Sequence, residues 1–345
     1  MRRLTHRLER SLIIHHDKNE RGAVTVIVAL CLVVMLGFVA LALDFGLMYS
    51  ERAELQSSAD AAALAVAQKC VAQEDGLDCS RDNTTDKTLA LAEARKYATG
   101  TVRDGMVDVD QPSIVGNTVR VTTHALDSDG EGPLALNFGV GSGVEEIEVG
   151  ATAMAEWYRP NKGPAVLPIV ISPCDFHLNA GPQLLQLHSV TGTKKSPPSV
   201  GCPLKSSSGA NIPGGFGFID VPSTTCTATV QVGQTAYSDP GNDLPSQCVS
   251  VLNKHVGQTV LLPLYKDLGS TGNTGWYKIE GWVAFKLLGW RFPGITPYDN
   301  TRYSGATCSN PCTGIIGEFV RFASLDEAFT SGGPNYGAAV VGIKE

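Results

Sequence analysis

The sequence lacks the short motifs that mark the commonest catalytic and nucleotide-binding sites. It contains no Gly-x-Ser-x-Gly, no His-Glu-x-x-His and no phosphate-binding loop, and no lysine has a serine three positions before it. The sequence therefore does not indicate a serine hydrolase, a zinc metalloprotease or a P-loop nucleotide hydrolase. We expect a protein that is not an enzyme and needs no cofactor.

Only one long apolar run is present, which excludes a transporter with many membrane spans. The 21 residues from 23 to 43 (AVTVIVALCLVVMLGFVALAL) carry no charge, and roughly 20 such residues cross a bilayer as a helix. A cleaved signal peptide has an apolar core of only about 7–15 residues and ends at a small-residue cleavage site. Because this run is longer and is followed by more helical sequence, it predicts a retained membrane anchor.

Positive charge is scarce outside the N-terminus. The chain has a net charge of −7, whereas residues 1–21 hold six basic and three acidic side chains, or +3, which leaves −10 for the remainder. An acidic body lacks the basic face that nucleic-acid binding requires, so no nucleic-acid partner is expected. The positive-inside rule places the basic tail in the cytoplasm and residues 44–345 outside it.

Eight of the nine cysteines follow the apolar run, and Cys31 lies within it. An even number in an oxidising compartment indicates up to four disulfides. Eight cysteines allow on the order of a hundred connectivities, of which pairing between sequence neighbours is the simplest: Cys70 with Cys79, Cys174 with Cys202, Cys226 with Cys248, and Cys308 with Cys312. The alternative is a zinc site of Cys174, His177, His188 and Cys202, whose spacing fits no tight paired-ligand pattern.

The segment after the membrane, LQSSADAAALAVAQKC (55–70), has a stripe at helical spacing. Met48, Leu55, Ala59, Ala62 and Val66 recur on one face of a 3.6-residue period, which Arg52 interrupts. Residues 23–69 can thus form one helix of roughly 70 Å. The alanine-rich stripe either packs onto the chain's own outer domain or forms an assembly face for other helices, with Leu55, Ala59, Ala62 and Val66 as the candidates.

The rest of the chain predicts an α+β fold. A second helix is expected at 86–98, with N-cap candidates at 83–85 and Gly100 just past its end. Alternating strands follow at 105–110, 117–125 and 144–157, and RPNKGP (159–164) is typical of a linker or crossover. The remainder, rich in Gly and Pro, favours strands and long polar loops, with strand patterns at AVLPIVIS, 277–292 and 314–325 and no helix.

Other possible sites are weak. Asp175, His177 and His188 could join a serine in a catalytic triad, but serine is so common here that chance supplies one. The segment DSDGEG (127–132) resembles the start of a calcium loop without its later ligands, which favours an acidic turn. GVGSG (139–143) is a weak glycine pattern that requires no phosphate. Trp276, Trp282 and Trp290 could form a ligand platform, although such residues are more often sheet core.

The N-terminal 70 residues resemble the TadE/TadG-like family of Flp-pilus assembly proteins. The similarity lies in ERGAVTVIVAL and in GFVALALDFGLMYSERAELQSSADAAALA, a block of about 50 residues with a membrane-edge motif of Gly22, Asp44 and Gly46. The resemblance implies an outer domain held on a pilin-like helix that starts in the membrane. The strands to residue 157 and parts of the C-terminal half, GWVAFKLLGWRF and VRFASLDEAF, resemble the same family more loosely.

Two departures limit what the resemblance implies. Prepilins are cut after a glycine and carry a glutamate five residues later, whereas Ile27 stands five residues after Gly22. The chain is therefore similar to the uncleaved, TadG-like branch. Another subgroup has a metal-binding Asp-x-Ser-x-Ser, which does not occur here, so metal-dependent adhesion is not implied.

Together these patterns predict four segments: a cytoplasmic basic tail (1–22), a transmembrane helix (23–43), a pilin-like α+β domain (44–159) and a β-rich, disulfide-bonded domain outside the cytoplasm (160–345). The expected function is a structural or assembly component of a Tad/Flp-type pilus or secretion apparatus. Its expected partners are the lipid bilayer and other TadE/TadG-like or pilus-apparatus proteins. The alternative is a cell-envelope adhesin or carbohydrate-binding module on the same type of anchor.

Overall fold

The computed structural model describes residues 20–136, 138, 146–187, 202, 205–209, 212–239, 241, 243–269 and 274–344. In these ranges the helices are α1 (Glu20–Ala72), α2 (Thr84–Thr101) and α3 (Val249–Lys254). The strands are β1 (Val107–Val109), β2 (Ser113–Val115), β3 (Thr118–Ala125), β4 (Leu134–Ala135), β5 (Glu146–Ile147), β6 (Gly150–Tyr158), β7 (Pro160–Ala165), β8 (Ile169–Ile171), β9 (Gln183–Gln186), β10 (Phe216–Phe218), β11 (Ala228–Gln231), β12 (Thr235–Tyr237), β13 (Thr259–Gly269), β14 (Trp276–Arg291), β15 (Gly314–Val320), β16 (Phe322–Ser324), β17 (Thr330–Ser331) and β18 (Ala338–Ile343). This confirms the predicted α+β class.

Helix α1 is one continuous element that runs from the apolar segment into the core of the outer fold. It has 53 residues, or about 80 Å at 1.5 Å per residue. Its second half packs against α2 and the sheet formed by the strands that follow, and half of its core residues there are alanine. Alanine allows this close contact because its small side chain takes up little space between α1 and its neighbours.

Helix α2 lies along α1 and begins at a side-chain cap. The backbone N–H of Asp86 donates to Oδ1 of Asn83 at 2.8 Å, which satisfies one of the free donors of the first turn. Ala90, Ala94 and Ala98 recur every four residues and are fully buried against α1. The helix continues through Gly100, so it ends later than the sequence predicted.

The first sheet has the strand order β1-β3-β6-β18-β16, with β2 paired to β3. Its neighbours are antiparallel except for the parallel pair β16–β18. The C-terminal strand β18 therefore belongs to the sheet that covers α1. This corrects the predicted division at 159/160, because the chain's end returns to the N-terminal unit and buries Ala339 and Val341 in its core.

A central sheet with the order β10-β8-β13-β14-β15-β9, and with β12 paired to β14, forms most of the remainder. Both of its faces are buried. On β14, Val283 and Phe285 face a cluster that includes Leu252 of α3, while Trp282 and Ala284 face a second cluster against the other sheets. This two-sided burial explains why the segment is apolar almost throughout. The short helix α3 was not predicted.

At two places in the described part of the chain, a single residue separates consecutive strands that belong to different sheets. Strand β6 continues through Arg159 into β7, the middle strand of a small sheet with the order β11-β7-β17. The predicted linker at 159–164 is therefore mostly strand. Likewise β15 of the central sheet passes through Arg321 into β16 of the first sheet, so the single strand predicted at 314–325 is two. The AVLPIVIS segment is also divided, between the end of β7 and β8.

Four disulfides join the eight cysteines outside the apolar run. The pairs are Cys70–Cys79, Cys174–Cys202, Cys226–Cys248 and Cys308–Cys312. Each cysteine bonds to its neighbour in the sequence, the simplest of the connectivities considered. The bond between Cys174 and Cys202 uses both thiols of the alternative zinc site.

Candidate functional site at the membrane edge of helix α1

The first half of α1 presents apolar side chains on all sides. Every large apolar side chain from Val24 to Leu43 is more than half exposed. One helix in the described part of the chain is long and apolar enough to cross a membrane, and it is this one. An apolar surface of this extent is unstable in water but suits lipid. Helix α1 thus has the properties of a single-pass membrane anchor.

Asp44 is the first charged residue after the apolar run, and its side chain is buried, with 6% exposed. It lies three helical turns before Leu55 and so on the same face of α1 as the packed stripe. The backbone N–H of Phe138 donates to its carboxylate, at 3.3 Å from Oδ1 and 3.2 Å from Oδ2. The carboxylate therefore has a protein donor where α1 leaves the apolar segment.

Phe138 lies between β4 and β5, which pair antiparallel as a separate hairpin. We call β4, β5 and Phe138 the membrane-edge hairpin. Leu134 of β4 is buried against the α1 core, and Ile147 of β5 packs beside it. The hairpin therefore continues the buried face of α1 from Leu55 toward the apolar run.

The opposite side of α1 carries an open groove of about 670 Å³ between the membrane edge and the end of α2. Small residues of α1 form its floor, namely Gly46, Ser50, Ala53 and Ser57, and Tyr49, Glu54, Thr101 and Arg103 complete its lining. Its residues are spaced by four, three and four positions, which is one face of a helix. Gly46 of the membrane-edge motif thus lines a surface, whereas Asp44 is covered and Gly22 lies in the first turn of α1.

An ion pair closes one side of this groove. Nε of Arg103, after α2, is 2.6 Å from Oε1 of Glu54 on α1. The hydrogen bond from Arg103 lowers the pKa of Glu54. The pKa of Glu51, one turn earlier, is raised by burial and then by the nearby carboxylates of Asp104 and Glu54. The end of α2 is therefore fixed to α1 close to the apolar segment.

The structure corrects the prediction that the alanine-rich stripe of α1 is an assembly face. Leu55, Ala59, Ala62 and Val66 are buried inside this chain, against α2 and the first sheet. The stripe was expected either to pack onto the chain's own domain or to bind other helices, and in the structure it packs onto its own domain. Arg52 is exposed and does not interrupt the packed face. Beyond the apolar half of α1, a second helix could reach the exposed face that carries the groove.

The far end of the packed helix is fixed by charge and by a disulfide. Nζ of Lys69 lies 2.7 Å from Oε2 of Glu93 on α2 and 2.9 Å from Oδ2 of Asp75. The hydrogen bond to Glu93, followed by that to Asp75, raises the pKa of Lys69. The adjacent Cys70 is bonded to Cys79. Sequence reasoning found the disulfide but missed this ion pair, because residues 24 positions apart show no common pattern.

The weaker candidate sites have structural roles where the structure describes them. Trp282 and Trp290 are sheet core. The carboxylate of buried Asp175 accepts a hydrogen bond from the backbone N–H of Gly215. Asp127 accepts from the N–H groups of Asp129 and Glu131, both at 3.1 Å, within a turn. His188 of the triad and zinc alternatives, GVGSG at 139–143 and most of the basic tail lie outside the described residues.

Comparison with known proteins gives a match in the N-terminal part of the chain. Residues 22–69 match the model of a family described as putative Flp pilus-assembly TadE/G-like, the family that the sequence resembles. The match covers the membrane-edge motif and the packed stripe of α1. No curated protein and no solved structure compared with the chain matches it.

Proposed function

We propose that the protein is a non-enzymatic structural or assembly component of a Tad/Flp-type pilus or secretion apparatus. The observation that carries this proposal is the position of the family match. Residues 22–69 span the apolar half of α1 and the half that forms the core of the outer fold. The matched segment is thus the element that joins anchor and domain.

We further propose that residues 44–345 lie outside the cytoplasm, with the N-terminus inside. The net positive charge of residues 1–21 supports this orientation by the positive-inside rule, and four disulfides suit an oxidising compartment. A reporter that is active only outside the cytoplasm should work when fused after Glu345. A reporter that is active only inside should work when fused before Arg21. The reverse pattern would exclude this orientation.

The assembly role is tested by association in the native membrane. The full-length protein with an affinity tag after Glu345 should co-purify with the secretion ATPase or inner-membrane proteins of a pilus apparatus. Deletion of the gene that encodes this protein should reduce pilus production or secretion. A variant with Ser50→Leu and Ala53→Leu fills the groove, while an Ala92→Leu variant changes an exposed residue of α2. Equal co-purification by both variants would exclude the groove as the assembly surface, and normal pilus production after deletion would refute the role.

The alternative function, a cell-envelope carbohydrate-binding module or adhesin, has one observation in its favour. A pocket of about 210 Å³ lies among β7, β11, β12 and β14, and its polar lining includes Lys162, Gln231, Gln234 and Thr235. Amides and hydroxyls are the groups that hydrogen-bond sugars. Binding of cell-wall glycans by the full-length protein that is lost on Gln231→Ala and Gln234→Ala would favour this function.

A further inference from the structure

The membrane-edge hairpin places an aromatic side chain beside the point where α1 leaves the bilayer. Phe138 is half exposed, at 50%, although it is large and apolar. Its backbone N–H is held by the carboxylate of Asp44. The position of Phe138 along the membrane normal is therefore tied to that of Asp44.

The depth of Asp44 follows from the length of the apolar run. Twenty-one uncharged residues precede it and rise about 32 Å as a helix, close to the roughly 30 Å of a bilayer's hydrocarbon core. Asp44 then lies at the outer boundary of the hydrocarbon. Because a hydrogen bond joins the backbone of Phe138 to this carboxylate, Phe138 lies close to the same boundary.

The surroundings of Phe138 favour lipid over water. On α1, Phe45 is also exposed just beyond the apolar run, and phenylalanine is common on protein faces that enter the headgroup boundary. The sequence from Leu134 to Val144 carries no charged residue. A carboxylate beside lipid is costly unless it is hydrogen-bonded, and the N–H of Phe138 supplies such a bond to Asp44.

We infer that Phe138 inserts into the headgroup layer of the outer membrane surface as a second bilayer contact, separate from the span of α1. A single helix leaves the outer domain free to rotate about the helix axis and to tilt. A second contact on one side of α1 restricts both motions and so presents the groove on the opposite side in a fixed orientation. This inference rests on the proposed anchoring of α1 in a bilayer.

Depth-dependent quenching of tryptophan fluorescence tests the inference. The full-length chain is reconstituted in nanodiscs of phosphatidylcholine and phosphatidylglycerol that hold one chain each, with lipids brominated near the headgroup or near the chain terminus. The emission of the four native tryptophans is subtracted. Phe138→Trp reports on the hairpin, Val33→Trp on the centre of the span, and Val115→Trp, 74% exposed on β2, on the outer domain.

Phe138→Trp should lose most of its added emission with the shallow bromines and less with the deep ones. Val33→Trp should respond mainly to the deep bromines, and Val115→Trp to neither. If Phe138→Trp behaves like Val115→Trp while Val33→Trp is quenched, the second contact is refuted and the anchor stands. If Val33→Trp is not quenched either, the anchoring itself fails. A further outcome would also overturn the inference. If the emission of Phe138→Trp shows burial only when several chains share a nanodisc, the partner of Phe138 is a second copy of the chain and not lipid.

Discussion

The ammonium group of Lys69 on α1 lies 2.7 Å from the carboxylate of Glu93 on α2, and both side chains are only 12% exposed. The pair joins the two helices at the end far from the membrane, next to the Cys70–Cys79 disulfide. At the near end, Arg103 and Glu54 join the same two helices. The alanine contact between them is therefore closed by an ion pair at each end.

Lys69→Met should destabilise the protein by about 1–3 kcal/mol, because Glu93 is left charged, largely buried and without its strongest donor. The double variant Lys69→Met with Glu93→Leu should recover part of this loss, since no unpaired charge remains. The measurement is chemical denaturation of the full-length protein in detergent micelles, analysed as a double-mutant cycle. Additive losses would show that the two side chains do not interact.

Ala62→Leu should destabilise the protein by roughly 1–3 kcal/mol, because the added volume has no space where α1 meets α2 and the first sheet. Ala62 is fully buried, whereas Ala92 on the outer face of α2 is exposed. Ala92→Leu is therefore the matched control and should leave the melting temperature nearly unchanged. If both variants melt like the wild type, α1 does not form the core of the outer fold.

Acid should destabilise the α2 cap through Asp86. This buried carboxylate accepts from the N–H of Asp78 at 3.0 Å and lies 3.2 Å from Nε of Arg81. The bond from Asp78 is the main cause of its lowered pKa. The stabilisation is present above the unfolded pKa of about 4 and is lost as pH falls through the lower folded pKa.

Asp86→Asn removes this titration, so its melting temperature should fall less than that of the wild type between about pH 5 and pH 2. Asp82→Asn, at an exposed carboxylate near the same helix start, is the control. Parallel pH profiles for wild type and Asp86→Asn would contradict the assignment.

The four disulfides should differ in their contribution to stability according to the loop that each one closes. Cys174–Cys202 is separated by 28 positions and Cys308–Cys312 by 4. The chain-entropy model gives about 3.6 kcal/mol for the first and about 2 kcal/mol for the second. Denaturation of the two double Cys→Ser variants measures the difference. A larger loss for Cys308 and Cys312 would show that loop entropy is not the dominant contribution.

Asp44→Leu should release the membrane-edge hairpin, because the N–H of Phe138 loses its acceptor. Chymotrypsin should then cut after Phe138 faster than in the wild type when the protein is held in nanodiscs. Asp44→Asn keeps an acceptor oxygen and should be cut at nearly the wild-type rate. Equal cleavage of all three proteins would show that Asp44 does not hold the hairpin.

The local patterns of the chain predicted the main elements of its N-terminal half well. The uncharged run specified the apolar helix, because roughly 20 apolar residues have few stable alternatives to a membrane span. The spacing of Leu55, Ala59, Ala62 and Val66 specified one packed face, and alternation specified β3 and most of β6. Asn83 was among the expected cap positions because its amide oxygen can accept from the first turn.

Only the tertiary structure decided which surfaces these elements meet. An alanine stripe has the same spacing whether it faces its own domain or another chain, and the choice depends on α2 and the returning strand β18. That strand is more than 200 positions from α1 in the sequence, and its pairing with β6 leaves no local signal. The contact between Asp44 and Phe138 was not predicted for the same reason, because the two residues are 94 positions apart in the sequence. Periodicity determines which face of an element is apolar, whereas the partner of that face is determined by long-range packing.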